Sequence, residues 1–447
     1  MIPKLSDILV KESRIKSQQK YKDRWRNNRN KALLYYSGNT DKYTGKYFSE
    51  NTLNKIPISN INITKRIIDR VSMVYMKEPI REVSNDHYFE YIKGKNEKMQ
   101  RAERMTNLLE LILIKPTWRN GKVEYDLIFD FEPIFGDDPL SPIGICYPLS
   151  VRSQVKDTTP ELWAYWDLEN HFVYDNNSEK IIKNDMNPDM INPYGMLPFA
   201  YSFRDGIPEN EFLGVNASDD LVQTNEMINV VETTKTANIV FQSFGYVYVS
   251  GEMDNKRLEV GPDKITMLEL DSSMGVISPP NTVQSIDESI KTNYRMLAQN
   301  YHLTAGFVEG TTAESGIAHK LRNQELMEAR KSDVERWRNI EKHLFDIEKE
   351  ILRVDAGIDI GILDGVDFSE SVNYLTEDEQ QKRDDWDLSK GLIDKADILV
   401  RRNPDWTRED AQQYLVDRRK TEVTIKKESD TQENIFKLGR QDTQISG

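Results

Sequence analysis

Gly310-Thr311-Thr312-Ala313-Glu314-Ser315-Gly316 invites a chemical reading, because two glycines lead it into a helical pattern. A nucleotide-binding loop of that kind needs Lys and then Ser or Thr directly after the second glycine, to reach the phosphates and the magnesium ion. Ile317 and Ala318 stand there instead, so the stretch reads as the start of a helix and not as a Walker-type loop. The five histidines (His87, His171, His302, His319 and His343) show no ligand spacing. A single cysteine, Cys146, excludes a cysteine-rich zinc site and an intrachain disulfide framework. No Gly-x-Ser-x-Gly elbow marks a serine hydrolase. Carboxylates number 74, so counting alone does not exclude a metal-dependent nuclease. No acidic pair, however, sits on a predicted strand end beside a basic residue. The residues point to no catalytic centre, no cofactor and no metal.

A chain of 447 residues with 38% hydrophobic and 30% charged residues is expected to hold several modules and a large solvated surface. No apolar run nears the roughly 18 residues of a membrane span. Met1-Ile2-Pro3-Lys4-Leu5 lacks the regions of a secretory signal, and one cysteine fits a reducing cytoplasm. The net charge of −14 is unevenly placed. Lys122 to Asp220 holds 19 Asp/Glu against 6 Lys/Arg, and Lys11 to Lys31 holds nine basic against two acidic residues. So acidic a chain is poorly suited to grip DNA by neutralising phosphates, although it can surround DNA that must slide. The basic run fits nucleic-acid contact, a solvated helix face, or a subunit contact against the acidic region.

The glycine-bounded stretch joins two helical patterns, Gln284 to His302 and Gly316 to Ala356. The second contains no proline and repeats apolar residues at Val334, Trp337, Ile340, Leu344, Ile347 and Ile351, one stripe facing a partner. Its nine Lys/Arg balance nine Asp/Glu, as in a helix laced with ion pairs. At about 1.5 Å per residue it would span on the order of 60 Å. A helix over Asn210 to Gln242 precedes the pair, entered through the N-cap types of Asn216-Ala217-Ser218-Asp219-Asp220. Between the helices lies a compact insert with strands at Tyr246–Val249 and Lys264–Leu270.

The rest of the chain reads in order. Residues 1–36 form a basic amphipathic helix stopped at Gly38. Lys65 to Met76 is a short helix ended by Glu78-Pro79. Leu108 to Ile114 is a buried helix or strand that pattern alone does not settle. Gly121 to Phe203 is antiparallel and β-rich, with period-two alternation at Val123–Phe129 and Leu162–Trp166. Its aromatic residues lack interleaved Arg and Lys and read as core rather than a base-stacking platform. After Ala356 come a strand at Ile358–Ile362 and short helices at Thr376–Trp386, Leu388–Val400 and Thr407–Val416. Two displaced capping boxes start the first and third of these helices.

This order of elements, on these residues, resembles the portal proteins of tailed bacteriophages, the siphophage type above all. Tyr35-Tyr36-Ser37-Gly38 is similar to the family's Tyr-x-Gly, and Asn62 with Ile67 to Pro79 to its next segment. Leu197-Pro198-Phe199, Gly214 to Leu221 and Asn225-Glu226 resemble its approach to the first stem helix. Ala313-Glu314-Ser315-Gly316-Ile317-Ala318 resembles its Ser-Gly-x-Ala start of the long helix, and Leu388 to Asp394 a recurring piece of its crown. The resemblance runs from Tyr35 to Val416. The insert departs from it in being short.

The resemblance implies an α+β portal fold with a mixed wing (1–214), stem helices (215–242 and 284–302) and a small α/β clip (243–283). A tunnel loop (303–315), a long kinked helix with a return to the wing (316–375), a helical crown (376–417) and a flexible tail (418–447) complete it. It implies a homo-oligomeric ring of about twelve subunits at one capsid vertex of the virion, assembled in the host cytoplasm. The ring would pass double-stranded DNA without sequence specificity during packaging and ejection. Its partners would be the major capsid protein and scaffold, the terminase large subunit and a head-completion adaptor, with no membrane and no enzymatic activity. Thr304, Gly306, Phe307, Val308, Glu309, Gly310 and Thr311 would face the DNA, with burial against a neighbouring subunit the alternative for Phe307. Lys291, Arg295, Lys320 and Arg322 would be lumen charges or inter-subunit ion pairs, and Lys256, Arg257 and Lys264 clip contacts. A non-ring scaffold or adaptor of phage assembly, or a packaging nuclease or ATPase, is the alternative.

Overall fold

The computed structural model describes residues 12–149, 162–175, 180–182, 187–205, 212–213, 218–242, 246–250, 273–277, 283–303, 324–368, 377–403 and 406–418. They form an α+β protein divided into two units. The larger holds the described residues up to Phe368, and the smaller those from Glu377 onward.

Helix α1 (Glu12–Ser37) ends at Gly38, whose φ of +81° a side-chain-bearing residue would resist. Its second half spends its cations inside the larger unit. Arg26 donates to Asp130 at 2.7 Å and to Glu132 at 3.0 Å. Arg29, 2% exposed, donates to the carbonyls of Phe129 and Leu109 while its guanidinium lies 4.1 Å over the Trp25 ring. Lys31 pairs with Glu226. The contact with the acidic region is thus made within one chain.

Helix α2 is Ile63–Val71, shorter than the pattern suggested, because the chain leaves the helix at Ser72 and makes a separate 3-10 turn at Val74–Met76. Strand β1 (Ile80–Val83) and helix α3 (Lys95–Leu109) follow. The ambiguous run at Leu108 is both alternatives in succession. α3 ends at Leu109, Glu110 turns at φ +72°, and strand β2 runs from Leu111 to Arg119.

β2 is the middle of a three-stranded antiparallel sheet, flanked by β3 (Lys122–Ile128) and by β9 (Ala200–Phe203). A second sheet runs β4 (Glu132–Phe135), β5 (Pro142–Pro148), β6 (Leu162–Asp167), β7 (His171–Asp175), β8 (Lys180–Ile182), each strand antiparallel to the next. Alternation sorts the side chains between layers. Leu111 and Leu113 of β2 meet Ile145, Tyr147, Ala164 and Trp166 of the five-stranded sheet. Ile112 and Ile114 point the other way, into the helices. Cys146, Trp163, Tyr165, Phe172 and Tyr174 are packed together on the opposite face of the five-stranded sheet, so the aromatic cluster is core.

Helix α4 (Asp219–Gln242), the ribbon β10 (Tyr246–Ser250) with β11 (Ser273–Ile277), and helix α5 (Val283–Asn300) come next. The partner of β10 is therefore 273–277, and the expected strand at 264–270 lies outside the described residues. Helix α6 spans Gln324–Ile351 and continues as a π-helical turn through Ala356. Trp337, Ile340, Leu344, Ile347 and Ile351 are buried as the stripe required. Pairs three residues apart, Arg336–Asp333, Arg338–Glu335 and Arg353–Glu350, lace its other faces.

The same buried stripe carries two glutamates, whose charge suggests solvent although their spacing from Trp337 and Leu344 sets them on the buried face. Glu341 and Glu348 are 1% and 0% exposed. Arg81 of β1 grips Glu341 with two nitrogens, at 3.0 and 2.6 Å. Lys95, the first residue of α3, lies 2.9 Å from Glu341 and 2.7 Å from Glu348. Tyr75 donates to Glu341, and Tyr88 and Tyr125 donate to Glu348, at 2.7 to 2.8 Å. Two positive and two negative charges cancel in a dry space, and three phenols occupy remaining lone pairs. Burial alone would push Glu341 up, but the facing Lys95 and Arg81 hold it at about 2.

β12 is Leu363–Asp367, paired with β1, whereas the strand expected at Ile358–Ile362 is absent. There Asp359 accepts from Gly361 N and Lys349 donates to Gly361 O. Gly361 has φ +78°, and a Cβ on it would run into Ser84 Oγ. In the smaller unit, α7 (Glu377–Ser389) and α8 (Lys395–Arg402) are separate helices, with a further helix at 408–418. The single helix expected at Leu388–Val400 is interrupted at Gly391 (φ +69°) and restarted by a capping box between Asp394 and Asp397. Thr407 and Asp410 cap each other's backbone N–H as the sequence suggested.

Glu341→Gln should cost about 3–5 kcal/mol in urea unfolding at pH 7, since Arg81 and Lys95 stay buried with one carboxylate fewer. A glutamate held low in the fold stabilises above its unfolded value and loses that effect as pH falls from about 4.5 to about 2. The deficit of the variant should therefore shrink over that window; a small or pH-independent deficit would contradict the assignment.

Candidate functional site

Of the residues that the sequence marked for function, two are described. Thr304, Gly306, Phe307, Val308, Glu309, Gly310, Thr311, Lys320, Arg322, Lys256, Arg257 and Lys264 lie outside the described residues. Lys291 and Arg295 are described. They stand four residues apart on α5, both exposed, on the side away from buried Ile290 and Leu297.

The pair itself is antiparallel, fixed at two levels. Asp220 near the start of α4 accepts from Tyr301 Oη at 3.0 Å and Asn300 Nδ2 at 3.1 Å, at the end of α5. Towards the other end Lys235 meets Asp287 at 2.6 Å. That contact raises the Lys235 pKa through the hydrogen bond to Asp287. Burial, with Asp220 beside it, raises the Tyr301 phenol.

α4 is held to the rest of the larger unit through a polar stripe. Asn225, Asn229 and Thr233 recur every four residues and each is 0% exposed. Asn225 Oδ1 accepts from Ile63 N, Thr64 N and Thr64 Oγ1 at 2.9 to 3.1 Å, while its Nδ2 donates to Ile61 O at 2.7 Å. Asn229 Oδ1 accepts from Ile61 N, and Thr233 Oγ1 from Ser59 N. One helix face thus satisfies the backbone of an extended segment, Ser59 to Thr64, and takes up the unpaired N–H groups at the start of α2. Ser218 Oγ donates to Leu108 O, and Glu226 takes Lys31 and, at 3.4 Å, the Tyr47 hydroxyl. Sequence reading singled out Asn225-Glu226 by resemblance but missed Asn229 and Thr233. Their spacing of four from Asn225 along the helix was the available signal.

Outward, the pair shows Met227, Ile239 and Val240 on α4 and Met296 on α5, each 45% to 59% exposed. Apolar residues are spread around α4 rather than confined to one stripe, the pattern of a helix covered on several sides.

The start of the described α6 is also tied to the body. Arg330 Nε donates to Met73 O at 3.2 Å, and Glu103 accepts from Val74 N at 2.8 Å and Tyr75 N at 3.1 Å. Burial pushes Glu103 up to about 7 against the pull of those two N–H donors. Glu110 is likewise raised to about 7, by burial and then by Asp205.

Among the described residues no group of three or more His, Cys, Asp or Glu side chains is placed to hold a metal ion. His87 pairs with Glu90, His171 is stacked on Trp166 at 3.5 Å, and Cys146 is buried in the aromatic cluster. Among the described residues no helix is long and apolar enough to cross a membrane. The sequence matches no known protein family, and no curated protein aligns with it significantly. The described residues give a helix pair tied at its base to a mixed α+β body.

Asn225→Leu should strand the amides of Ile63 and Thr64, each costing about 1–3 kcal/mol, and hydrogen exchange at both should accelerate well beyond that at Leu113. Unchanged protection at Ile63 would contradict the clamp. The raised carboxyls act opposite to Glu341. Their folded forms hold a proton that the unfolded chain releases near 4.5, so stability should decline as pH rises from about 4.5 to about 7. Glu103→Gln should flatten that decline in a urea titration across the window; an unaltered slope would count against Glu103.

Proposed function

We propose that the chain is a portal protein of a tailed bacteriophage, of the siphophage type. In this reading about twelve copies close into a ring at one capsid vertex, through which the genome is packaged and later ejected. α4 and α5 are the stem helices, the insert carrying β10 and β11 is the clip, and 303–315 is the tunnel loop. α6 is the rod of the long helix, residues 1–214 are the wing, and the helices from Glu377 to residue 417 are the crown. The clip docks the terminase large subunit and then the head-completion adaptor, while the wing meets capsid protein and scaffold. The chain carries no catalytic role.

The observation that carries this reading is the antiparallel pair, 24 and 18 residues long, bracketing a small β ribbon and followed by a 28-residue helix. Two physical features support it. A net charge of −14 disfavours phosphate binding, as a channel that must let DNA slide requires. A helix apolar on several faces, with exposed Met227, Ile239 and Val240, fits a protein whose neighbours are copies of itself. In this reading Lys291 and Arg295, four residues apart on α5, are lumen charges or members of inter-subunit ion pairs.

Native mass measurement of the purified chain should give a closed multi-copy species of about twelve subunits with no ATP turnover. A persistent monomer or dimer would favour a scaffold or adaptor, and substantial ATP hydrolysis by the chain alone would overturn the reading.

A further inference from the structure

Two surfaces of the larger unit are complementary to each other and cannot meet within one copy. The first is one end of the five-stranded sheet. Gly144 of β5 pairs with Asp167 of β6, so the β4–β5 and β6–β7 turns lie at the same end. Asn170 bridges to Ile191, and Asn192 N donates to Glu169 O at 2.7 Å, bringing residues 187–192 there too. Ile143, Leu168 and Ile191 are 52%, 55% and 55% exposed at this end. Asp137, Asp138, Glu169 and Asp189 are exposed beside them, and no Lys or Arg occurs in 136–144, 167–171 or 187–196. The Asp167 carboxylate is consumed locally by Asn170 and Tyr165, and Asp138 caps Leu140 N. Asp137, Glu169 and Asp189 have no cation within ion-pair distance among the described residues. Single exposed aliphatics are ordinary on a surface; three at one sheet end, rimmed by carboxylates, have the character of a contact.

The second surface is the outward side of α2 and α3, gathered around Tyr36. Lys65 lies 5.7 Å over the Tyr36 ring, the Tyr36 hydroxyl donates to Asp69 at 2.6 Å, and Arg104 stands 3.4 Å from Asp69. Lys98, Arg101 and Arg104 recur every three residues along α3, and Lys98 and Arg101 are exposed. Neither Lys98 nor Arg101 has a carboxylate at ion-pair distance among the described residues.

The five-stranded sheet and α3 pack on opposite faces of the sheet β3-β2-β9. One copy therefore cannot close its acidic end onto its own basic face, whereas a second copy can. We propose that the acidic, aliphatic sheet end of one copy docks on the α2–α3 face of the next. This rests on the ring reading and deepens it, because a contact between two different surfaces, repeated head to tail, is what closes a ring. Charge complementarity selects a second copy over duplex DNA. DNA would satisfy the basic face alone and leave the acidic end and its aliphatics uncovered, while one copy-to-copy contact covers both.

The test is charge exchange on the full chain, read as native mass at low and high salt, with circular dichroism confirming that each variant is folded. Wild type should give multi-copy rings that weaken with salt. Asp137→Lys with Glu169→Lys, and separately Lys98→Glu with Arg101→Glu, should each weaken assembly by at least about tenfold. Carrying all four substitutions in one chain should restore it. The milder Lys98→Ala with Arg101→Ala should give a smaller loss in the same direction. Rings unaffected by either reversal, or no recovery with all four, would overturn the interface while leaving the ring reading intact. Loss of duplex DNA binding with rings preserved in the Lys98/Arg101 variant would reassign that face to DNA and overturn the proposal. A monomeric wild type would overturn the ring reading and this inference with it.

Discussion

Glu341 and Glu348 on one side, Arg81 and Lys95 on the other, share a space from which water is excluded, and the four charges are tolerable there only together. Their positions in the chain make the constraint architectural. Arg81 comes from β1, Lys95 starts α3, Tyr125 sits on β3, and both glutamates project from α6, some 250 residues later. An apolar stripe alone would let α6 slide or rotate by a turn against the sheet. Two carboxylates seven residues apart, each with its own donors, admit one register. The helix is held in place by electrostatic geometry and held down by the burial of Trp337, Leu344, Ile347 and Ile351 around it.

A second polar device does the same for α4. Carboxamide and hydroxyl groups at Asn225, Asn229 and Thr233 hold an extended backbone segment against a helix, where neither element could satisfy the other by ladder pairing. Both long helices thus meet the mixed body through buried polar side chains of fixed direction. Such contacts are costly to break partially and so favour one arrangement.

Much of this architecture was legible in the sequence, for reasons that differ by element. Period-two alternation placed β3 and β6 because each strand has one layer on either face, whereas β5, with two prolines and a glycine in its seven residues, was not singled out. The apolar stripe of α6 was plain, but the glutamates on that stripe were passed over because their charge suggests solvent; their partners lie in distant segments that no local pattern connects. Leu108 to Ile114 was ambiguous because a helix end and a strand start are both buried there, and only the turn at Glu110 separates them. At Ile358–Ile362 alternating Asp and Ile imitates a strand, yet Gly361 and the caps on its backbone make a turn. For the candidate site, the helix pair was anticipated from residue order, whereas Asn229 and Thr233, two rungs of its clamp, were not. The acidic excess from Lys122 onward was counted correctly but assigned to the region as a whole. Part of it, Asp130 and Glu132, is neutralised by Arg26 of the same chain, and another part gathers at one sheet end.

In the ring reading these pieces have a common purpose: a rigid body, a helix pair projecting from it, and an acidic surface that does not retain DNA. That reading requires α4 and α5 to stand at the centre of the assembly. A symmetric electron-microscopy reconstruction of the purified assembly tests it most directly. In a portal ring α4 and α5 of every copy should line a central hole wide enough for a DNA duplex, with the β10–β11 ribbon at one mouth. A reconstruction with no central hole, or with α4 and α5 on the outer rim, would contradict it.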